Sequence, residues 1–141
     1  MMNFYDRKEN EDWNQLIHFN DIHNWFKSLT RLPRFSRIDA SGVTKDDRKV
    51  LIELKQRDKL YDGIFIEPSK IEAFKLSSAT DNWVTLYFNF IGDEAYITNP
   101  LEHIDDMTSH MVSIFDKGDK KRKEVLRYNI PLKHFSKWTV E

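Results

Sequence analysis

The chain contains no cysteine, which excludes disulfide bonds and thiolate metal sites and makes a reducing compartment the simplest expected setting. Only four glycines and four prolines occur in 141 residues, so little material is present for a long disordered segment. We find no internal repeat and no low-complexity linker, and the length matches one ordinary domain. The sequence therefore predicts a single domain over residues 1–141.

Long apolar runs and an excess of charge are also missing. No run approaches the length that spans a bilayer, and residues 1–8 lack the apolar core of a signal peptide. We therefore expect a soluble, cytoplasmic protein without a membrane partner. The 22 basic residues nearly balance the 23 acidic ones, for a formal net charge of −1. Any surface that binds phosphate groups must then be a local patch.

The first half of the chain mixes helical and strand patterns. Apolar spacing predicts a helix over residues 9–29, broken once near residue 20, where Asn20 can cap the second piece. A turn is predicted over residues 41–47. The strands expected on this pattern cover residues 34–40, 48–56 and 61–67, and the second of them is the most strongly patterned.

The second half begins with a helix predicted over residues 70–78, which follows Pro68. Two hairpins are then expected. The first joins residues 83–91 and 94–98 around Gly92, and the second joins residues 110–115 and 124–130. This order predicts an α/β fold with a mixed central sheet flanked by helices and a C-terminal β-hairpin.

Strand 48–56 carries two opposite charges on one of its faces. Side chains alternate between the faces of a strand, so Leu51, Glu53 and Lys55 point the same way. Charges in such an apolar strand are costly to bury unless they pair or bind a metal ion. If strand 34–40 forms a hairpin with it, Asp39 lies within a residue or two of the level of Glu53. Two carboxylates and an ammonium group would then meet on one face.

Such a set of groups suits the hydrolysis of a phosphodiester bond. Asp39 and Glu53 can hold Mg²⁺ or Mn²⁺, because hard divalent ions prefer carboxylate oxygens and activate water next to phosphate. Lys55 would orient that water or stabilise the charge of the transition state. An acid of the first helix, Glu11 or Glu9, would complete the site.

Context matters more than spacing here, because the pattern acid-x-Lys recurs in this charged chain. The further occurrences are Asp6 with Lys8, Asp47 with Lys49, and Asp119 with Lys121. Only Glu53 and Lys55 combine this spacing with an apolar strand and a preceding strand that bears an acid. The alternative is a surface ion pair on an exposed sheet face.

At this point residues 9–74 resemble the PD-(D/E)xK nuclease superfamily, which includes restriction endonuclease-like and Holliday junction resolvase-like proteins. The resemblance lies in an acid-bearing helix, residues 36–39 (SRID), a turn, and residues 52–56 (IELKQ), followed by a further strand and helix. It implies a restriction endonuclease-like αβββαβ core.

The resemblance also implies an activity and its residues. The activity is Mg²⁺-dependent hydrolysis of double-stranded or branched DNA, with Asp39 and Glu53 as metal ligands and Lys55 as the catalytic lysine. Lys70, on the helix after the core strands, would be an accessory residue that contacts DNA. Many relatives act as dimers, so a homodimer is also expected.

A second candidate for DNA contact is the charged segment 116–127, which holds six basic and three acidic residues. Lys120, Lys121, Arg122 and Lys123 at a hairpin tip would bind a phosphate backbone. The alternative is a solvated tip that keeps the hairpin soluble. The histidines lack the spacing of a zinc site, and the aromatic residues are expected in the core.

Two other functions stay open. One is a catalytically inactive module that keeps the nuclease fold and binds DNA or a protein. The other is a structural or interaction protein, in which Glu53 and Lys55 form only an ion pair. Cleavage of DNA that depends on both residues would separate the enzyme from these alternatives.

Overall fold

The computed structural model describes residues 4–116 and 118–140, with side chains from residue 10 onward. The described ranges contain two α-helices, two 3₁₀ segments and nine strands. The helices are α1 Phe4–His23 and α2 Pro68–Asp81, and the 3₁₀ segments are Pro100–Asp106 and Leu132–His134. The strands are β1 Phe26–Arg31, β2 Ala40–Thr44, β3 Lys49–Gln56, β4 Gly63–Ile66, β5 Val84–Ile91, β6 Glu94–Thr98, β7 Thr108–Asp116, β8 Lys121–Pro131 and β9 Ser136–Thr139.

Six strands form a central sheet in the order β1-β2-β3-β5-β6-β9. All its neighbouring strands are antiparallel except β3 and β5, which run parallel with Glu53 beside Tyr87. Parallel neighbours need a long crossover connection, and here the crossover contains α2. The predicted α/β class with a mixed sheet is confirmed.

Both faces of the central sheet are covered, which explains why β3 reads as an almost continuous apolar run. On one face Ile52 and Leu54 pack in the same cluster as Leu16 and Phe19 of α1. On the other face Leu51 belongs to a cluster that includes residues of α2 and of the second sheet. The predicted alternation of β3 is therefore confirmed.

The second sheet has three strands in the order β4-β8-β7. Strand β4 does not join the central sheet. It pairs with β8, with Ile66 opposite Tyr128. Ile64 and Ile130 bury this sheet against the same face that α2 covers. The predicted C-terminal hairpin is present as β7 and β8, and it forms two of these three strands.

The predicted broken helix over residues 9–29 is wrong in its second half. Helix α1 ends at His23, Asn24 takes a left-handed conformation with φ of 56°, and Phe26 begins strand β1. The Asn20 side chain bonds the backbone N and O of Phe26 at 2.8 and 3.0 Å. Asn20 therefore helps to fix the chain where it leaves the helix, and does not cap a second helical piece.

The predicted strand 34–40 and turn 41–47 are also displaced. Residues 34–38 form turns and bends, β2 begins at Ala40, and the chain turns at residues 45–48. Position 42, inside β2, requires glycine because a Cβ there would come within 2.9 Å of both Leu29 Cδ2 and Ser28 O on β1. The glycine thus allows β1 and β2 to approach closely. In the turn that follows, Asp47 takes a left-handed conformation with φ of 68°.

The remaining predicted elements are confirmed with small shifts in their ends. Pro68 occupies the start of α2, and Asn82 ends it in a left-handed conformation. The hairpin of β5 and β6 turns at Gly92, whose φ is +59°. Strand β9 and the 3₁₀ segments were not predicted. No helix within the described residues is long and apolar enough to cross a membrane.

Candidate active site

Asp39 and Glu53 lie side by side in the central sheet, at the point where strand β2 begins. The pairing of Ala40 with Ile52 sets Asp39, which directly precedes β2, at the level of Glu53. The backbone N of Leu54 donates a hydrogen bond of 2.8 Å to Asp39 Oδ2 and fixes the carboxylate there. The structure thus brings together two residues that the sequence singled out, although Asp39 precedes β2 and does not lie inside a strand over residues 34–40 as predicted.

Glu53 is buried, with 6% of its surface exposed, and one of its oxygens is paired. Lys70 Nζ lies 3.3 Å from Glu53 Oε2 and also donates to the backbone O of Arg37. Within the described part of the chain, Glu53 Oε1 has no hydrogen-bond partner. Lys70 was expected to contact DNA, and the structure places it as the ion-pair partner of Glu53.

Ionisation of both neighbouring carboxylates is electrostatically unfavourable. Burial raises the pKa of Glu53 well above its ordinary value, the charge of Asp39 raises it further, and Lys70 opposes this. Two close carboxylates repel each other when both are ionised, so one of them keeps its proton unless a cation lies nearby. The arrangement therefore favours either protonation of Glu53 or a bound cation.

The raised pKa of Glu53 predicts how the stability of the metal-free protein depends on pH. Because the folded pKa of Glu53 is raised, its contribution to stability is full below its ordinary value of 4.5 and is lost as the pH rises through the folded pKa. We therefore expect Glu53→Gln to stabilise the protein relative to wild type increasingly as the pH rises. Urea unfolding in EDTA across this range measures the difference.

The exposed Glu72 provides the control, because Glu72→Gln removes an equal charge from the surface of α2. The free energy of unfolding of Glu72→Gln should differ little from that of wild type at every pH. If the curves for wild type and Glu53→Gln run parallel, Glu53 is ionised in the folded protein throughout.

Lys55 lies at the end of β3, exposed, and faces the same pocket as the two carboxylates. This acidic pocket has a volume of about 230 Å³. Its lining side chains combine four acids, two lysines and two further residues, and they are Asp12, Asp39, Glu53, Leu54, Lys55, Gln56, Glu67 and Lys70. Asp39, Glu53 and Lys55 are thus grouped around one space.

The acid that α1 contributes to the pocket is Asp12. Glu11 is exposed and does not line the pocket, and the side chain of Glu9 lies outside the described residues. Leu16 and Phe19 are fully buried, and Asp12 precedes them by four and seven positions on the same helical stripe. The spacing of these buried residues could have identified Asp12.

Glu67 also lines the acidic pocket and was not predicted to do so. It follows strand β4 directly and precedes Pro68, the first residue of α2. An acid between an apolar strand and a helical proline is visible in the sequence. The position of Glu67 at this pocket depends on the pairing of β4 with β8, and no local sequence pattern predicts that pairing.

The donor set fits a hard divalent ion that keeps part of its water shell. No group of three or more acids or histidines placed to hold a metal occurs among the described residues. Mg²⁺ is often bound through one or two carboxylates plus waters and substrate phosphates. Asp39 and Glu53 supply two carboxylates, and the buried, unpaired Glu53 Oε1 is a suitable ligand atom.

A second pocket, of about 220 Å³, adjoins the first and has the second sheet as its wall. It shares Glu53, Lys55 and Lys70 with the acidic pocket, and Val112 and Arg127 of β7 and β8 lie on it. The hairpin therefore faces the candidate site through its inner side. Together the two pockets form a cleft in which several cations lie close to the acids.

Arg57, which follows β3, ties three strands together beside this cleft. Its Nε donates to Asn89 Oδ1 at 2.8 Å, and its Nη2 donates to Phe65 O at 2.7 Å and to the Tyr87 hydroxyl at 2.8 Å. The Tyr87 hydroxyl in turn donates to Phe65 O, and burial raises the pKa of Tyr87 to about 12. Arg57 thus anchors the end of β3 to β4 and β5.

Of the four basic residues expected at the hairpin tip, Lys120 lies in the turn, whereas Lys121, Arg122 and Lys123 begin strand β8; all four are exposed. Lys123 pairs with Asp116 at 2.9 Å, and Arg122 donates to Ser113 Oγ and O at 3.0 and 3.1 Å. Two of the four basic residues therefore have partners within the hairpin. Contact of the tip with DNA stays a prediction.

A comparison of the chain with models of known protein families finds no match, and a comparison with curated proteins finds none either. The resemblance to PD-(D/E)xK nucleases accordingly rests on the motif residues of this chain.

Proposed function

We propose that the protein is a Mg²⁺-dependent deoxyribonuclease with a restriction endonuclease-like fold. The observation that carries this proposal is that Asp39, Glu53 and Lys55 line one pocket, with Asp39 bonded to the backbone N of Leu54 and Glu53 buried. The order α1, β1, β2, β3, β4, α2 and β5, with β5 parallel to β3, also supports it, because it contains an αβββαβ series when β4, which lies in the second sheet, is set aside.

Each residue has a distinct task in this proposal. Asp39 and Glu53 hold Mg²⁺ or Mn²⁺, which supplies Lewis acidity at the scissile phosphate when bound. Lys55 contacts a phosphate oxygen and stabilises the negative charge that grows in the transition state. Lys70 favours the ionised form of Glu53 through its 3.3 Å ion pair, and only that form is a good ligand.

The test uses linear, nicked and branched double-stranded DNA, with Mg²⁺ or Mn²⁺ and with EDTA. We expect cleavage only with a divalent ion, and we expect Mg²⁺ to raise the Tm because it binds the folded state alone. Glu53→Gln should remove both effects, since an amide is a poorer ligand than a carboxylate.

Glu72→Gln again serves as the matched control and should retain both effects, because Glu72 lies exposed on α2 beside Lys75. Cleavage that persists in EDTA, or that is equal in Glu53→Gln and wild type, would contradict the proposal. An increase in Tm without cleavage would indicate an ion site that has no hydrolytic role.

A second function is favoured by one specific observation. Because the Lys70 ammonium pairs with Glu53, the buried charge is partly compensated without any metal ion. A catalytically inactive module that keeps the fold and binds DNA would need no more than this. Salt-dependent DNA binding with no cleavage in either ion would support it.

A further inference from the structure

A third pocket continues the cleft beyond Arg57 and is the largest of those described here, at about 1,020 Å³. It shares Gln56 with the acidic pocket and Arg57 and Phe65 with the second pocket. A chain of nucleotides whose phosphate lay near Lys55 would therefore extend into it. We call it the Tyr61 pocket, after the most exposed aromatic side chain that lines it.

Rings and apolar side chains form one part of this pocket. Tyr61 is 69% exposed and Leu60 is 38% exposed, both on the loop that follows β3. Phe65 and His110 are in tilted contact, with ring centroids 5.8 Å apart and planes inclined by 58°. These groups put aromatic rings beside the candidate site, and aromatic rings stack on nucleobases of any sequence.

Polar groups form another part of the pocket, next to Phe65. The Asn129 side chain lies over Gly63, where a Cβ would come within 2.4 Å of Asn129 Oδ1. Glycine at position 63 thus leaves room for the amide, which also lines the pocket. An amide offers both donors and an acceptor to the edge of a base, and Lys59 places a cation on the same rim.

We propose that the Tyr61 pocket binds an unpaired nucleobase of the DNA strand whose phosphate lies in the acidic pocket. This inference rests on the proposed function and narrows its substrate to DNA with a single-stranded segment beside the scissile bond. A base can reach a ring face only when it has left the duplex stack. The continuity of the cleft, the exposed ring and the adjacent amide carry the inference.

The experiment measures binding in EDTA, so that no cleavage occurs. Fluorescence anisotropy is recorded for a single-stranded oligonucleotide and for copies with one abasic site moved along the strand. In wild type we expect one or two positions at which the missing base lowers affinity about tenfold, the scale of one base–ring stack. Tyr61→Ala should remove this difference, and Tyr61→Phe should keep it.

Lys59→Ala is the matched control, because it removes a charge from the same loop. It should weaken binding of every oligonucleotide equally and reduce the salt dependence. An abasic penalty of the same size in Tyr61→Ala and wild type would overturn the inference. Equal affinity for blunt duplex and single-stranded DNA would also overturn it.

The two proposals can fail separately. A base-dependent affinity that needs Tyr61, in a protein that cleaves no DNA, keeps the base site and removes the nuclease activity. Metal-dependent cleavage that needs Glu53, with no effect of Tyr61→Ala on base dependence, keeps the nuclease and removes the base site.

Discussion

Lys55→Ala is expected to lower the rate of Mg²⁺-dependent DNA cleavage by about 10²- to 10³-fold, the usual cost of losing one preorganised group that stabilises transition-state charge. Binding of Mg²⁺ should change little, because Lys55 is not a ligand in the proposed site. Single-turnover rates at saturating enzyme give the cleavage step, and the Mg²⁺ dependence of the Tm gives ion binding.

Lys49→Ala is the matched control for this result. Lys49 begins the same strand on the same face but lies far along it from the acidic pocket, near the ring of Trp83. Its removal should leave the cleavage rate unchanged. Lys55 would have another role if Lys55→Ala cleaved at the wild-type rate. It would act through the metal site if rate and ion affinity fell together.

Arg57→Ala is expected to destabilise the fold by roughly 3 kcal/mol, because hydrogen bonds to a charged group contribute about 1.5–3 kcal/mol and the buried Asn89 Oδ1 is left without a donor. Asn89 Oδ1 loses a bond of 2.8 Å and Phe65 O loses one of 2.7 Å. The end of β3 would also lose its anchor to β4 and β5. Activity should therefore fall together with stability.

Urea unfolding measures this effect, with two variants for scale. Tyr87→Phe removes one hydroxyl from the same network and should cost about 1 kcal/mol. Arg48→Ala removes an exposed guanidinium paired with Asp46 and should change the free energy of unfolding by at most a few tenths of a kcal/mol. If Arg57→Ala were no more harmful than Arg48→Ala, the network would not stabilise the fold.

The sequence was most informative at β3, where local pattern and tertiary environment agree. An apolar run interrupted only by Glu53 and Lys55 is unusual enough to identify both the strand and the charged pair. The level of Asp39 depended on where the hairpin turns. The predicted turn over residues 41–47 would pair residue 40 with residue 48 and set Asp39 opposite residue 49, whereas the observed pairing of Ala40 with Ile52 sets it opposite Glu53.

Other features depended on contacts between distant residues. Trp25, Phe26 and Leu29 fit a helical face as well as a strand, and pairing of β1 with β2 decides between them. Strand β4 pairs with β8 and not within the central sheet, which no local pattern specifies. The acid from α1 was different: the buried stripe of Leu16 and Phe19 was available in the sequence and identifies Asp12.

The two sheets are separate hydrogen-bonded units, so one can unfold locally while the other stays intact. The cleft floor belongs to the hydrogen-bonded ladder of β3 and β5, whereas its wall belongs to the ladder of β7 and β8. Burial in β8 is deepest at Ile130, and the tip is exposed. Fraying that starts at the tip can therefore proceed along the hairpin as a local unfolding unit while the backbone around Asp39 and Glu53 keeps its hydrogen bonds. Local opening of the cleft and integrity of the acids thereby depend on different parts of the chain.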